Sequence, residues 1–87
     1  MIDWRTPFEN ELRTLDCRIV ILEDIKEIIV LTPDKKYNRK RQHDIFEVEY
    51  KFLKEYTGFG DYLVQSLPIW SWDEERYRSF RDTEDDF

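Results

Sequence analysis

Glycine is almost missing from this 87-residue sequence: there are two, beside three prolines, one cysteine and one histidine. Each shortage excludes a class of site. Gly58 and Gly60 alone cannot build a glycine-rich phosphate loop. Cys17 has no second cysteine, so an internal disulfide and a cysteine zinc site are both excluded. It lies in the apolar run from Cys17 to Leu22 with no evident activating base, which makes it a small buried hydrophobe rather than a nucleophile. A lone His43 in a polar stretch cannot form a histidine metal cluster and is expected at the surface. No metal and no cofactor are therefore expected. The longest apolar runs, Ile19–Leu22 and Ile28–Leu31, are far too short to span a membrane. Asp3 and Glu9 interrupt the region where a signal peptide would need an apolar stretch. A soluble, cytoplasmic protein with no membrane partner is the expectation.

The sequence is instead rich in charge and in apolar bulk: 39% of its residues are charged and 40% hydrophobic. That apolar content is enough for a core and sets the chain apart from disordered sequences. A domain of this size buries roughly 60–65% of the surface of its unfolded chain, so most of the aromatic residues must serve as core. One compact domain over 1–87, with an acidic tail at 83–87, is expected.

Thr6-Pro7-Phe8-Glu9 carries a helix-start signal, with a capping threonine, a proline at the first helical position and a glutamate three after the cap. The helix it predicts covers about residues 7–15, with Phe8, Leu12 and Leu15 on one face. Cys17–Leu22 and Glu27–Leu31 are β-branched apolar runs separated by Glu23-Asp24-Ile25-Lys26, the pattern of a hairpin whose strands are buried on both faces. Between Thr32-Pro33 and Thr57-Gly58 two periodicities compete. Ile45, Val48, Phe52 and Tyr56, with Leu53 beside them, recur at helical spacing, whereas residues 46–52 alternate as a strand would. The flanking start and stop signals and the lack of breakers favour a helix, beginning at Pro33 or near Asp44. Glu49 would fall inside its apolar arc. A short helical piece over Asp61–Leu67 is expected to end before Pro68. Ser71-Trp72-Asp73-Glu74 then launches a last helix over about 72–82, carrying Trp72, Tyr77 and Phe80 on one side. The fold class is α+β: an N-terminal helix, a β-hairpin, then covering helices.

Charge is unevenly spread. Residues 1–43 carry nine Lys/Arg against eight Asp/Glu, and residues 44–87 carry five against twelve together with eleven of the fourteen aromatics. Part of this acidity is local to the last helix, where Glu74, Arg78 and Asp82 follow at i, i+4 and i+8 and can pair along one face. Glu84, Asp85 and Asp86 have no basic neighbour after Arg81. A field of this sign steers a chain towards a basic partner. The leading functional expectation is a non-enzymatic protein-binding module. It would inhibit a basic, nucleic-acid-handling protein by imitating DNA phosphates, in the manner of small phage-encoded antagonists. Its contact residues would be Asp73, Glu75, Glu84, Asp85 and Asp86, with Trp70 and Trp72 as apolar anchors. The same two tryptophans could instead staple the helix start and fill the core.

Two other patterns carry chemistry. Lys35, Lys36, Arg39, Lys40 and Arg41, with Tyr37 interleaved, form a basic segment that could contact nucleic-acid phosphates. The acidic remainder of the chain would repel a polyanion, so the segment could equally attract the acidic half, within one chain or in a homo-oligomer. Pro33-Asp34, followed fifteen residues later by Glu49-Tyr50-Lys51, resembles the signature of the PD-(D/E)xK nucleases. The resemblance implies that Asp34 and Glu49 hold a divalent metal while Lys51 helps activate water or stabilise charge. It also implies a core of one helix followed by three strands, and so requires 45–52 to be a strand.

Overall fold

The hairpin forms because two β-branched runs are joined by a turn short enough to set their register. In the structure, a computed structural model describing residues 3–85 with side chains through Phe80, strands β1 (Arg18–Leu22) and β2 (Glu27–Thr32) pair antiparallel. Leu22 lies opposite Glu27 and Arg18 opposite Leu31. Lys26 closes the four-residue connection in the left-handed region, at φ 55°. Every residue of β2 is buried, because this strand is the centre of a three-stranded sheet ordered β1-β2-β3.

The third strand, β3 (Leu63–Pro68), runs parallel to β2 and replaces the expected helical piece at 61–67. A strand as apolar as β2 leaves a row of backbone donors and acceptors on its second edge, which must be satisfied when buried. β3 supplies the partners, Glu27 meeting Leu63 and Thr32 meeting Pro68. Proline fits there because it ends an edge strand, where its missing N–H costs no rung. A tight 3-10 turn, Phe59–Asp61, leads into β3.

Helix α1 (Arg5–Arg13) starts two residues before the predicted position. Asp3 accepts the Arg5 N–H at 3.1 Å, and the first helical rung runs from Phe8 N–H to Trp4 C=O at 2.9 Å. Pro7 therefore occupies the last position that needs no donor. At the other end, Cys17 N–H reaches Leu12 C=O and Asp16 N–H reaches Arg13 C=O, with Asp16 at φ 60°. This is a Schellman closure with aspartate where glycine is usual, and the buried Leu12 and Cys17 share one core cluster beneath it.

Helix α2 (Arg39–Glu55) covers 45–52, as the periodicity predicts, but starts at neither Pro33 nor Asp44. Asn38 is the cap, its side-chain oxygen accepting the Arg41 N–H at 3.1 Å. The stop lies at Tyr56, and Gly58 turns the chain away at φ 93°, a conformation open to glycine without strain. Ile45 and Phe52 are fully buried, with Val48 and Tyr56 packed beside them, so the helical period won over the strand alternation.

The sheet separates two cores. On one face α1 and α2 bury Trp4, Phe8, Leu12, Cys17, Ile45, Phe52 and Phe59 against Ile28 and Val30. Phe8 meets Phe52 and Phe59 with ring centroids 5.1 and 4.9 Å apart. On the other face Leu22, Ile29 and Leu31 form a smaller cluster packed by Val20, Leu67, Trp72 and Tyr77. Trp72 precedes helix α3 (Glu74–Asp85), whose cap is Asp73 rather than Ser71: its carboxylate accepts the Arg76 N–H at 3.2 Å. Ser71 instead donates to Pro68 C=O at 3.0 Å, closing the turn Ile69–Ser71.

Candidate functional site

The two tryptophans separate. Trp72 is half-buried on the sheet, its ring 5.5 Å from that of Tyr77, and serves as core. Trp70, two residues earlier, is 67% exposed at the end of β3. The turn that carries it is pinned by the Ser71–Pro68 hydrogen bond on one side and by buried Trp72 on the other. Asp73 and Glu75 follow it on the surface, Asp73 held by its capping bond. Phe80, expected on the same side as Trp72 and Tyr77, is exposed at 63%. Of the expected acidic tail, the backbone of residues 83–85 continues α3, and the Glu84 and Asp85 side chains and all of Asp86 lie outside what the structure describes.

Many acidic side chains of the described region are drawn into ion pairs within the chain, some local and some between distant segments. Arg78 holds Glu74 at 3.1 Å, the predicted i, i+4 pair, and also forks onto Asp24 of the β1–β2 turn at 2.7 and 3.1 Å. Arg5 bridges Asp3 and Glu23, and Tyr62 donates to the same Glu23 carboxylate. The hydrogen bonds from Arg5 and then Tyr62 hold the Glu23 carboxyl down at about 2. Tyr77 reaches through the second core to donate to buried Glu27.

In the basic segment, Arg41 turns inward. It pairs with Asp34 at 2.6 Å and donates to Leu15 C=O, tying the start of α2 to the end of α1. Lys35, Lys36, Arg39 and Lys40 stay exposed and have no ion-pair partner among the described residues. Lys35 and Lys36 line a cleft of about 280 Å³ at the C-terminal ends of β2 and β3, together with Thr32, Asp34, Tyr37, Asn38, Gln42 and Ser66, while Arg39 and Lys40 follow in the first turn of α2.

The nuclease-like set is not brought together. Its second half lies on a helix, and Asp34 is hydrogen-bonded by Asn38 and Arg41 in the first turn of that helix. At 1.5 Å per residue, Glu49 stands roughly 12 Å further along the axis than Arg41, too far to share a metal with Asp34. Lys51 is engaged by Glu11 of α1 at 2.8 Å. Burial pushes the Asp34 carboxyl up, but hydrogen bonds from Arg41 and Asn38 outweigh it and leave the group below its ordinary value. Glu49, half-buried with no hydrogen-bond or ion-pair partner among the described residues, is raised by burial to about 7. No group of three or more metal-ligating side chains gathers among the described residues. Cys17 is buried, and that burial raises its thiol above the ordinary value. His43 is exposed beside Glu47 at 3.0 Å.

One feature of α2 escaped sequence reasoning. Phe46, Tyr50 and Leu53 recur at i, i+4 and i+7 along its outer side, each more than half exposed. At 100° per residue they span about 60° and sit beside the core arc rather than within it, a signal readable on a helical wheel. Leu53, grouped with the inward residues by its spacing, belongs to this stripe. No described helix is long and apolar enough to cross a membrane. Compared with protein-family models, curated proteins and solved structures, the chain matches none of them.

Proposed function

We propose that this chain is a non-enzymatic protein-binding module whose surface around Trp70 captures a basic protein and blocks its nucleic-acid-binding face. The observation that carries this reading is Trp70 itself: a large aromatic side chain left in solvent on a turn whose two flanks are fixed. Rigid aromatic anchors deliver contact area at low entropic cost, and tryptophan is enriched among the residues that dominate binding energy. Asp73 and Glu75 supply acidic charge beside the anchor, and the net charge of −6 favours approach of a cationic surface.

The test is quantitative affinity capture by the full chain, repeated with Trp70→Ala and with Asp73→Asn/Glu75→Gln. Asparagine preserves the helix cap while removing its charge. The expected result is a basic protein retained by the wild type, lost with Trp70→Ala and bound more weakly by the neutralised variant, with that deficit shrinking as salt rises. A captured partner indifferent to Trp70→Ala would sink the proposal.

A further inference from the structure

The cleft at the ends of β2 and β3 has the construction of an anion site, and it is independent of the surface around Trp70. In a parallel β-α-β unit, ligands bind outside the carboxyl ends of the strands, where the next helix begins. Here β2, α2 and β3 make such a unit, and the cleft lies at that end, lined by Thr32, Asn38, Gln42 and Ser66. The α2 N-terminus brings backbone N–H groups. Asn38 caps the Arg41 N–H, and the helical ladder starts at Gln42 N–H, so those of Arg39 and Lys40 remain without intrahelical partners.

Thr32 is the second observation. It is 4% exposed, lines the cleft, and its hydroxyl has no hydrogen-bond partner among the described residues. It follows Ile28 and Val30 on the helix-covered face of the sheet, where the register also sets Ser66 opposite Val30. Among the described residues the only sealed side-chain oxygen without a partner is Glu11 Oε2, so the Thr32 hydroxyl is open to the cleft, where a ligand oxygen would satisfy it. Charge agrees: Asp34 is cancelled by Arg41, leaving Lys35, Lys36, Arg39 and Lys40 as a local excess of four positive charges on a chain of net −6.

We infer that this cleft binds the phosphate group of a small phosphorylated molecule. Thr32 and Ser66 hydroxyls, the Gln42 amide and the first N–H groups of α2 donate, and Lys35 and Lys36 close over the charge. A cleft of about 280 Å³ holds one phosphate and a small body. The surrounding negative chain disfavours an extended polyanion, which is why a small ligand rather than nucleic acid is the choice.

The test follows backbone amide shifts of the full chain during titration with inorganic phosphate and with phenyl phosphate, at ionic strength held constant with sodium chloride. Saturable shifts centred on Thr32, Ser66, Arg39 and Lys40 are expected. Thr32→Val should weaken phenyl phosphate about tenfold or more and Thr32→Ser should retain it, as expected for a hydrogen bond to a charged group. If Thr32→Val loses its native spectrum, Ser66→Ala reads the same donor set, and unchanged affinity there would overturn the assignment. So would shifts that chloride reproduces, or unaltered binding by a folded Thr32→Val. A single-stranded oligonucleotide that binds more tightly than phenyl phosphate, with or without a 5′-phosphate, would overturn it in favour of nucleic acid.

Discussion

The two faces of the sheet are held by different physics. On the face covered by α1 and α2, the core is aromatic: Trp4 meets Phe8 and Phe59, and Phe8 meets Phe52, edge to face around Ile28 and Val30. On the other face, α3 and the turn before it are fixed by Trp72 and Tyr77 over three aliphatic residues, and then by polar latches. Tyr77 donates to Glu27, and Arg78 forks onto Asp24. The first face should govern global stability, and the second should govern whether α3 stays docked.

Breaking the first face should have the largest effect. Phe8→Ala removes a fully buried ring at the junction of α1, α2 and the sheet, and should cost about 3–5 kcal/mol, enough to threaten folding of a domain this small. Urea denaturation should show the unfolding free energy falling by that amount, with a lower midpoint and an unchanged slope. Trp72→Ala should cost less, about 1.5–3 kcal/mol, because its ring is only half-buried. Its signature should be local: hydrogen exchange speeds up in α3 while α1 and α2 stay protected. Equal loss of protection in all three helices would erase the distinction between the faces. Tyr77→Phe keeps the ring but removes the hydroxyl that donates to Glu27, and should cost about 1–3 kcal/mol with the same local signature.

A pH experiment sharpens the contrast further. Glu49 has its carboxyl raised from 4.5 to about 7 by burial, so the folded state holds a proton that the unfolded state releases earlier. Stability should therefore fall as pH rises from about 4.5 through 7 and level off above, a slope that Glu49→Gln removes. Glu23 acts oppositely, since its carboxyl is lowered from 4.5 to about 2: its contribution is present above 4.5 and lost as pH falls towards 2. Matched thermal melts from pH 2 to 8 would expose both, and a Glu49→Gln curve parallel to the wild type between pH 4.5 and 7 would contradict the assignment. The smallest effect is expected from Arg78→Ala, because that latch is solvent-screened. It should be visible only as faster exchange at the start of α3, and should vanish at high salt.

How much of this could be read from the chain differs from element to element. The hairpin was legible because its two runs and its turn are neighbours in sequence, and α2 was legible from Ile45, Val48, Phe52 and Tyr56. β3 was not, since Gln65 and Ser66 break its apolar pattern and its existence depends on pairing with a strand on the far side of α2. The cap of α3 was misplaced because Ser71 and Asp73 are both good caps, and only Pro68 C=O decides which is already engaged. The cleft was half legible: the lysines stand together in the sequence, whereas Thr32 and Ser66 become neighbours only once β3 is in place. The nuclease-like spacing between Asp34 and Glu49 was real, but residues 39–49 run along a helix axis and carry Glu49 away from Asp34 instead of placing both on one strand pair.

That long-range pairing of β3 also sets a timetable. The β1–β2 hairpin and α1 close loops of a few residues, whereas β3 can find β2 only after the whole of α2 has been spanned, at a higher entropic cost of closure. The chain should fold hairpin first and strand last. Destabilising substitutions in β3, such as Val64→Ala, should then accelerate unfolding with little change in the refolding rate, and those in β2 should slow refolding.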